Sequence, residues 1–248
     1  MSRADKLFPD PVRVINADAG GSFVLACEHA GNLVPEALEG LGLSASDLRD
    51  HIAWDPGAAG LAERLAALLD APAVLQRYSR LLCDCNREPG APGSIVERAD
   101  GRVVPGNAGL APADRQIRFD SLYHPFHEAL EKLLDERPHA VLVTVHSFTP
   151  VMGGSRRDLH VGVIHEGENP FAERLAGILG THENTICRLN EPYTPEDGVT
   201  HTLARHGIAR GIDHVMIEVR NDLLREEEGQ ALWAVRLARA LRKAAGLE

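Results

Sequence analysis

The stretch His139-Ala140-Val141-Leu142-Val143-Thr144-Val145-His146 decides the fold class. Its centre is apolar and strongly β-branched, with no polar residue at every second place. A strand of this kind is buried on both faces, as in a sheet covered by helices on either side. Similar runs lie at Ser22–Cys27, His160–His165 and His214–Val219, and the residues of Ala73–Arg77 and Arg80–Cys85 read as two strands broken by a turn. Between them run helical stripes: Leu61, Leu65, Leu68 and Leu69 after Pro56, Phe126, Leu130, Leu133 and Leu134, and Ala234, Leu237, Ala238 and Leu241. The pattern predicts an α/β fold, a three-layer α/β/α sandwich with a mixed, mostly parallel central sheet.

Residues 1–248 read as a single domain, with 44% hydrophobic and 25% charged residues. A chain of this length buries a core without disulfides or a structural metal. The net charge of -10 argues against a broad nucleic-acid surface. Cys27, Cys83, Cys85 and Cys187 form no C-x-x-C pair, and Cys83 and Cys85 are expected on one face of a strand. No run approaches the roughly 20 apolar residues of a membrane span, and no signal peptide is evident, so no membrane partner and a cytoplasmic location are expected. Glu88–Ala111, rich in Gly and Pro, is too long for a simple connection and reads as a functional loop or lid; Asn190–Pro195 is a second such loop.

Three titratable residues stand at or near strand ends: His29, His146 and Glu218. Open α/β sheets place ligands at the carboxyl ends of their strands. Two histidines invite a catalytic zinc, which takes three protein ligands and keeps an open position. Asp55, in Trp54-Asp55-Pro56-Gly57, is the preferred third ligand, although Asp before Pro also suits a helix N-cap. Asn32 offers only a neutral amide. Glu28 has the right chemistry but, next to His29 on a strand, is expected to point to the other face. Glu218 suits a general base that takes a proton from an activated water and returns it to the departing amine, unless it is a buried partner of Arg220. Asn86 and Arg87 can clamp a substrate carboxylate. Arg80 could polarise the scissile carbonyl, with Asp84 orienting a neighbouring Arg. His127 has no assigned role beyond capping or ligand support.

Read together, Cys27–Asn32, Trp54–Ala58, Ser79–Arg87, Tyr123–His127, Val145–Pro150, Asn190–Tyr193 and Ile217–Asp222 resemble the N-formylglutamate amidohydrolase family over most of the chain. The resemblance implies a zinc-carboxypeptidase-like or aspartoacylase-like fold and one Zn2+, or another divalent metal. In that wider group the motifs are H-x-x-E, an Asn-Arg pair, a His followed by Ser, and a catalytic Glu. They correspond to His29, Asn86 with Arg87, His146 with Ser147, and Glu218. Asn32 departs from the pattern, standing where the group carries a glutamate ligand.

The expected function is hydrolysis of the amide of an N-formyl or N-acyl acidic amino acid, such as N-formylglutamate. The metal would sit on His29, Asp55 and His146, with Glu218 and Arg80 catalytic. Asn86, Arg87 and Arg220 would bind substrate, Arg80 or Arg220 steadying the oxyanion. A carboxypeptidase-like or cell-wall amidase and a metal-free carboxylate-binding protein are the alternatives.

Overall fold

The structure, a computed structural model, describes residues 7–248. In chain order its elements are β1 (Val12–Ile15), β2 (Phe23–Cys27), α1 (Ala58–Leu69), β3 (Ala73–Gln76), β4 (Arg98–Ala99), β5 (Arg102–Val103), α2 (Pro112–Arg118) and α3 (His124–Asp135). There follow β6 (Val141–Phe148), β7 (Val151–Met152), β8 (Ser155–Arg156), β9 (Val161–Ile164), α4 (Pro170–Leu179), β10 (Cys187–Leu189), β11 (His214–Arg220) and α5 (Glu227–Ala244).

Seven strands form one sheet in the order β1-β3-β2-β6-β11-β9-β10. β3, β2, β6 and β11 run parallel, as do β9 and β10, while β1 meets β3 and β9 meets β11 antiparallel. This is the expected mixed, mostly parallel sheet. Every residue of β2, β6 and β11 is buried, which is why these strands lack polar alternation.

One face packs Leu25, Val143, Val145 and Ile217 against α1, α4 and α5 through Leu61, Leu65, Phe171, Leu175, Leu237 and Leu241. The other packs Val24, Leu142 and Met216 against Phe126, Leu130 and Leu134 of α3. Each fully buried aliphatic side chain contributes about 1.5–3 kcal/mol.

Arg80–Cys85 is not a strand, contrary to expectation. Its backbone turns, with Leu82 N–H donating to Ser79 O and Asp84 N–H to Ser94 O. Leu81, Leu82 and Cys83 are buried together with Phe8, Tyr78 and Leu122 in a third apolar cluster beneath the loops. Cys83 and Cys85 therefore share no strand face. Glu88–Ala111 carries the β4–β5 hairpin and a short turn of helix. Among the described residues, no helix is long and apolar enough to cross a membrane.

Candidate active site

The site forms where β2, β6 and β11 end side by side. On β6 and β11, His146 and Glu218 are register partners. β2 stops at Cys27, so Glu28 and His29 lie in the turn beyond it and strand alternation no longer separates them. Both are buried, at 1% and 3% exposure. Asp55 comes from the segment entering α1, where its N–H donates to the His29 carbonyl at 3.0 Å. It does not cap that helix through its side chain: Gly57, at φ 84°, holds the N-cap position. A Cβ there would stand 2.4 Å from Leu224 Cβ, so both conformation and contact require glycine.

His29, Asp55 and His146 bring one ligand atom each to within 4.8 Å of one another. Asp55 Oδ2 lies 2.9 Å from His146 Nδ1 and 3.4 Å from His29 Nδ1. The opposite ring nitrogens are each backed by a carboxylate. His29 Nε2 stands 2.8 Å from Asp84 Oδ1, and His146 Nε2 stands 3.1 Å from Glu28 Oε2. The second contact lacks good hydrogen-bond geometry, and among the described residues neither Glu28 oxygen has a hydrogen-bond partner that meets it. With protons on Nε2, both Nδ1 lone pairs converge beside Asp55. Carboxylates behind ligand histidines fix the ring and raise its basicity. The donor set, its burial and its backing all fit one divalent ion. Asn32 does not line the cavity over these residues, and its amide nitrogen donates away from them to Leu48 O at 2.8 Å.

Electrostatics follow this packing. Burial works against ionising Glu28, but His146 outweighs it and holds the carboxyl at about 2. Burial likewise opposes the ionisation of Asp84, which Arg80 and His29 overcome. Glu218 is the exception: burial dominates and raises it to about 7. Among the described residues its Oε2 has no hydrogen-bond partner, a costly state for a buried carboxylate unless an incoming group supplies one.

A cavity of about 420 Å³ opens over these residues, lined also by Arg80, Arg87, Phe148 and Tyr193. Arg80 is fixed by Asp84, at 2.6 Å and 3.1 Å, and approaches Asp55 Oδ1 at 3.6 Å. The Asp84 expectation is thus met, with His29 added as a second partner. Arg87 donates to the Asn86 carbonyl at 2.8 Å and lies along Gly93, where a Cβ would come within 3.0 Å of Arg87 Nε. Asn86 borders the cavity, but its amide bridges Val199 O and the Thr202 N–H, which makes it the anchor of Arg87's loop.

Arg220 is not brought to this site. Its Nε donates to Asp222 at 2.7 Å and its Nη1 to the carbonyls of Arg157, Asp158 and Leu159 at 3.2–3.3 Å. It does not line the cavity, and Asp222, rather than Glu218, is its ionic partner. Sequence reasoning missed the Glu28 contact with His146, and gave Tyr193 no role although it sat in a flagged loop. His127 is a support: Nε2 lies 2.8 Å from the Cys85 carbonyl, between Asp84 and Asn86, and Nδ1 lies 2.8 Å from His206 Nε2.

Residues 21–225 match the sequence profile of the N-formylglutamate amidohydrolase family. The chain belongs to that family. Its reaction class is therefore amide hydrolysis. The crystal structure of a gene product of Agrobacterium tumefaciens is similar at 41% identity and a TM-score of 0.93, with 95% of each chain covered. The N-formylglutamate amidohydrolase of Ralstonia eutropha JMP134 shares the fold, at 18% identity and a TM-score of 0.73, covering 96% of this chain and 98% of that one. Among curated proteins, no sequence relative matches.

Proposed function

We propose that this family member is a zinc-dependent hydrolase of N-formyl, or small N-acyl, acidic amino acids, converting a substrate such as N-formylglutamate to formate and glutamate. The observation that carries this reading is the convergence of His29, Asp55 and His146 beside Glu218, in a cavity that also holds Arg80 and Arg87. Zinc held by those three residues would supply Lewis-acid charge and a water of lowered pKa, about 7.

The chain's own groups do the rest. Arg87 binds the substrate carboxylate as a planar fork, placing the amide at the strand ends. Glu218 takes a proton from the attacking water as its oxygen bonds to the acyl carbon. It delivers that proton to the amide nitrogen as the C–N bond breaks, so the amine leaves neutral. Arg80, held by Asp84, steadies the negative charge on the acyl oxygen. Glu28 and Asp84 keep the two imidazoles aimed.

The test is amine release from a panel of N-formyl and N-acetyl amino acids with zinc added. Turnover of N-formylglutamate that falls at least 100-fold in Glu218→Gln supports the reading. Full turnover in that variant sinks the general base, and a preference for neutral amino acids sinks the substrate class.

A further inference from the structure

The loop Asn190–Tyr193 is bound to the sheet beside the reacting centre. Asn190 N–H donates to the Val163 carbonyl, and its side-chain oxygen accepts from His165 N–H, both at 3.0 Å. Gly162 of β9 is the strand partner of Glu218. A Cβ at Gly162 would fall 1.9 Å from the Glu191 carbonyl oxygen, so the loop lies directly on the backbone next to the proposed base. This seating brings the half-buried Tyr193 into the cavity lining with Glu218, Asp55 and Arg80.

The ring is held from the other side as well. The Arg157 guanidinium lies 5.3 Å from the Tyr193 centroid and 5.7 Å from that of Phe148, which also lines the cavity. Among the described residues Arg157 has no acidic partner; its guanidinium donates to the Thr149 carbonyl at 3.3 Å and lies near the Tyr193 hydroxyl, while its backbone N–H donates to the Pro150 carbonyl at 2.8 Å. Its own carbonyl accepts from Arg220. A cation within reach of two aromatic faces is drawn to both ring quadrupoles and so helps to fix them. Fixing a ring this way is of little use to an inert wall and of direct use to a hydroxyl that must meet a developing charge.

Resting on the reading of the site as an amide hydrolase, we infer that Tyr193 is a further catalytic residue whose hydroxyl donates a hydrogen bond to the acyl oxygen of the substrate, and that Arg157 is the positioning residue for its ring. Arg80 and Tyr193 then face the same oxygen, one as a charge and one as a neutral donor. No bond to Tyr193 forms or breaks.

Tyr193→Phe removes the hydroxyl and leaves the ring and its cation contact in place. The expected result is a 10- to 100-fold fall in kcat/KM, carried by kcat, with zinc content unchanged. Arg157→Gln is expected to lower kcat in the parent protein and to change little further in the Tyr193→Phe background. Parent-like kcat in Tyr193→Phe overturns the catalytic role. Additive effects of the two substitutions overturn the positioning role. A second readout needs no turnover: N-formylglutamate titrated onto zinc-loaded Glu218→Gln protein should perturb the phenol absorption band. Tyr78 and Tyr123 are buried and outside the cavity, so the signal should vanish when Tyr193→Phe is added. If the parent protein hydrolyses none of the N-acyl amino acids, the underlying reading has failed. The spectrum then decides alone: a Tyr193-dependent signal keeps the hydroxyl at the ligand, and its absence overturns the proposal.

Discussion

Lowering the pH from 8 to 5 should destabilise the protein through two histidines that take no part in the chemistry. His127 and His206 are 0% and 1% exposed and share a 2.8 Å contact between ring nitrogens. Burial, followed by the neighbouring positive charges, lowers His127 from 6.5 to about 3 and His206 to about 4. Both rings are neutral in folded and unfolded chains above about pH 6.5. Below it the unfolded chain takes up two protons that the folded one refuses, so stability falls as pH falls, until the folded pKa values are reached.

The linkage slope is about 1.36 kcal/mol per pH unit per group, and about 1.5 units separate pH 5 from the unfolded value, giving about 2 kcal/mol for each ring. The pair thus loses about 4 kcal/mol, a large part of the roughly 5–15 kcal/mol typical of a folded domain. Urea unfolding followed by circular dichroism at pH 8 and pH 5 measures it. With an m-value of about 3 kcal/mol/M, the midpoint should drop by roughly 1.3 M. His206→Gln keeps a donor toward His127 and cannot titrate, so its drop should be about half as large. Comparing the two proteins cancels every other titrating group. An identical pH dependence in both would refute the reasoning.

Glu28→Gln and Asp84→Asn should each weaken zinc binding about 10- to 100-fold in chelator competition, because the carboxylate behind a ligand imidazole is lost. Arg220→Met should lower stability by about 2–4 kcal/mol in thermal unfolding, by stranding three carbonyls and Asp222, while leaving KM unchanged in the folded fraction.

The strands that carry the chemistry were legible because burial on both faces leaves an unmistakable apolar run, as in Val141–Phe148 and His214–Arg220. His29, His146 and Glu218 stood out as polar residues just where such runs finish. Arg80–Cys85 was misread because an apolar run beneath loops looks the same in sequence as one within a sheet. Glu28 was set aside by strand alternation, which stopped one residue earlier, at Cys27. Arg220 was expected to share the reach of Glu218 from two residues away, but the carbonyls of 157–159, distant in sequence, capture it. Asp55 reads equally as cap or ligand in the sequence; the fold gives the N-cap position to Gly57 and sets the Asp55 carboxylate against His146, contacts made by residues distant in sequence. The supports at Tyr193 and Arg157 depend on contacts between loops, which no local pattern encodes.

The cavity draws its walls and its floor from different parts of the chain. The floor consists of strand ends and the turns that follow them, locked into a seven-stranded sheet. The walls come from the β4–β5 hairpin, from Met152 of the β7–β8 hairpin and from the loop carrying Tyr193. A hairpin can be lengthened, shortened or exchanged without moving the sheet that holds the reacting groups. The molecule is in this sense modular: its selectivity could be rewritten at Arg98–Val103 and Val151–Arg156 while the hydrolytic machinery stays intact, which makes those two hairpins the natural places to redirect the enzyme toward other acyl groups.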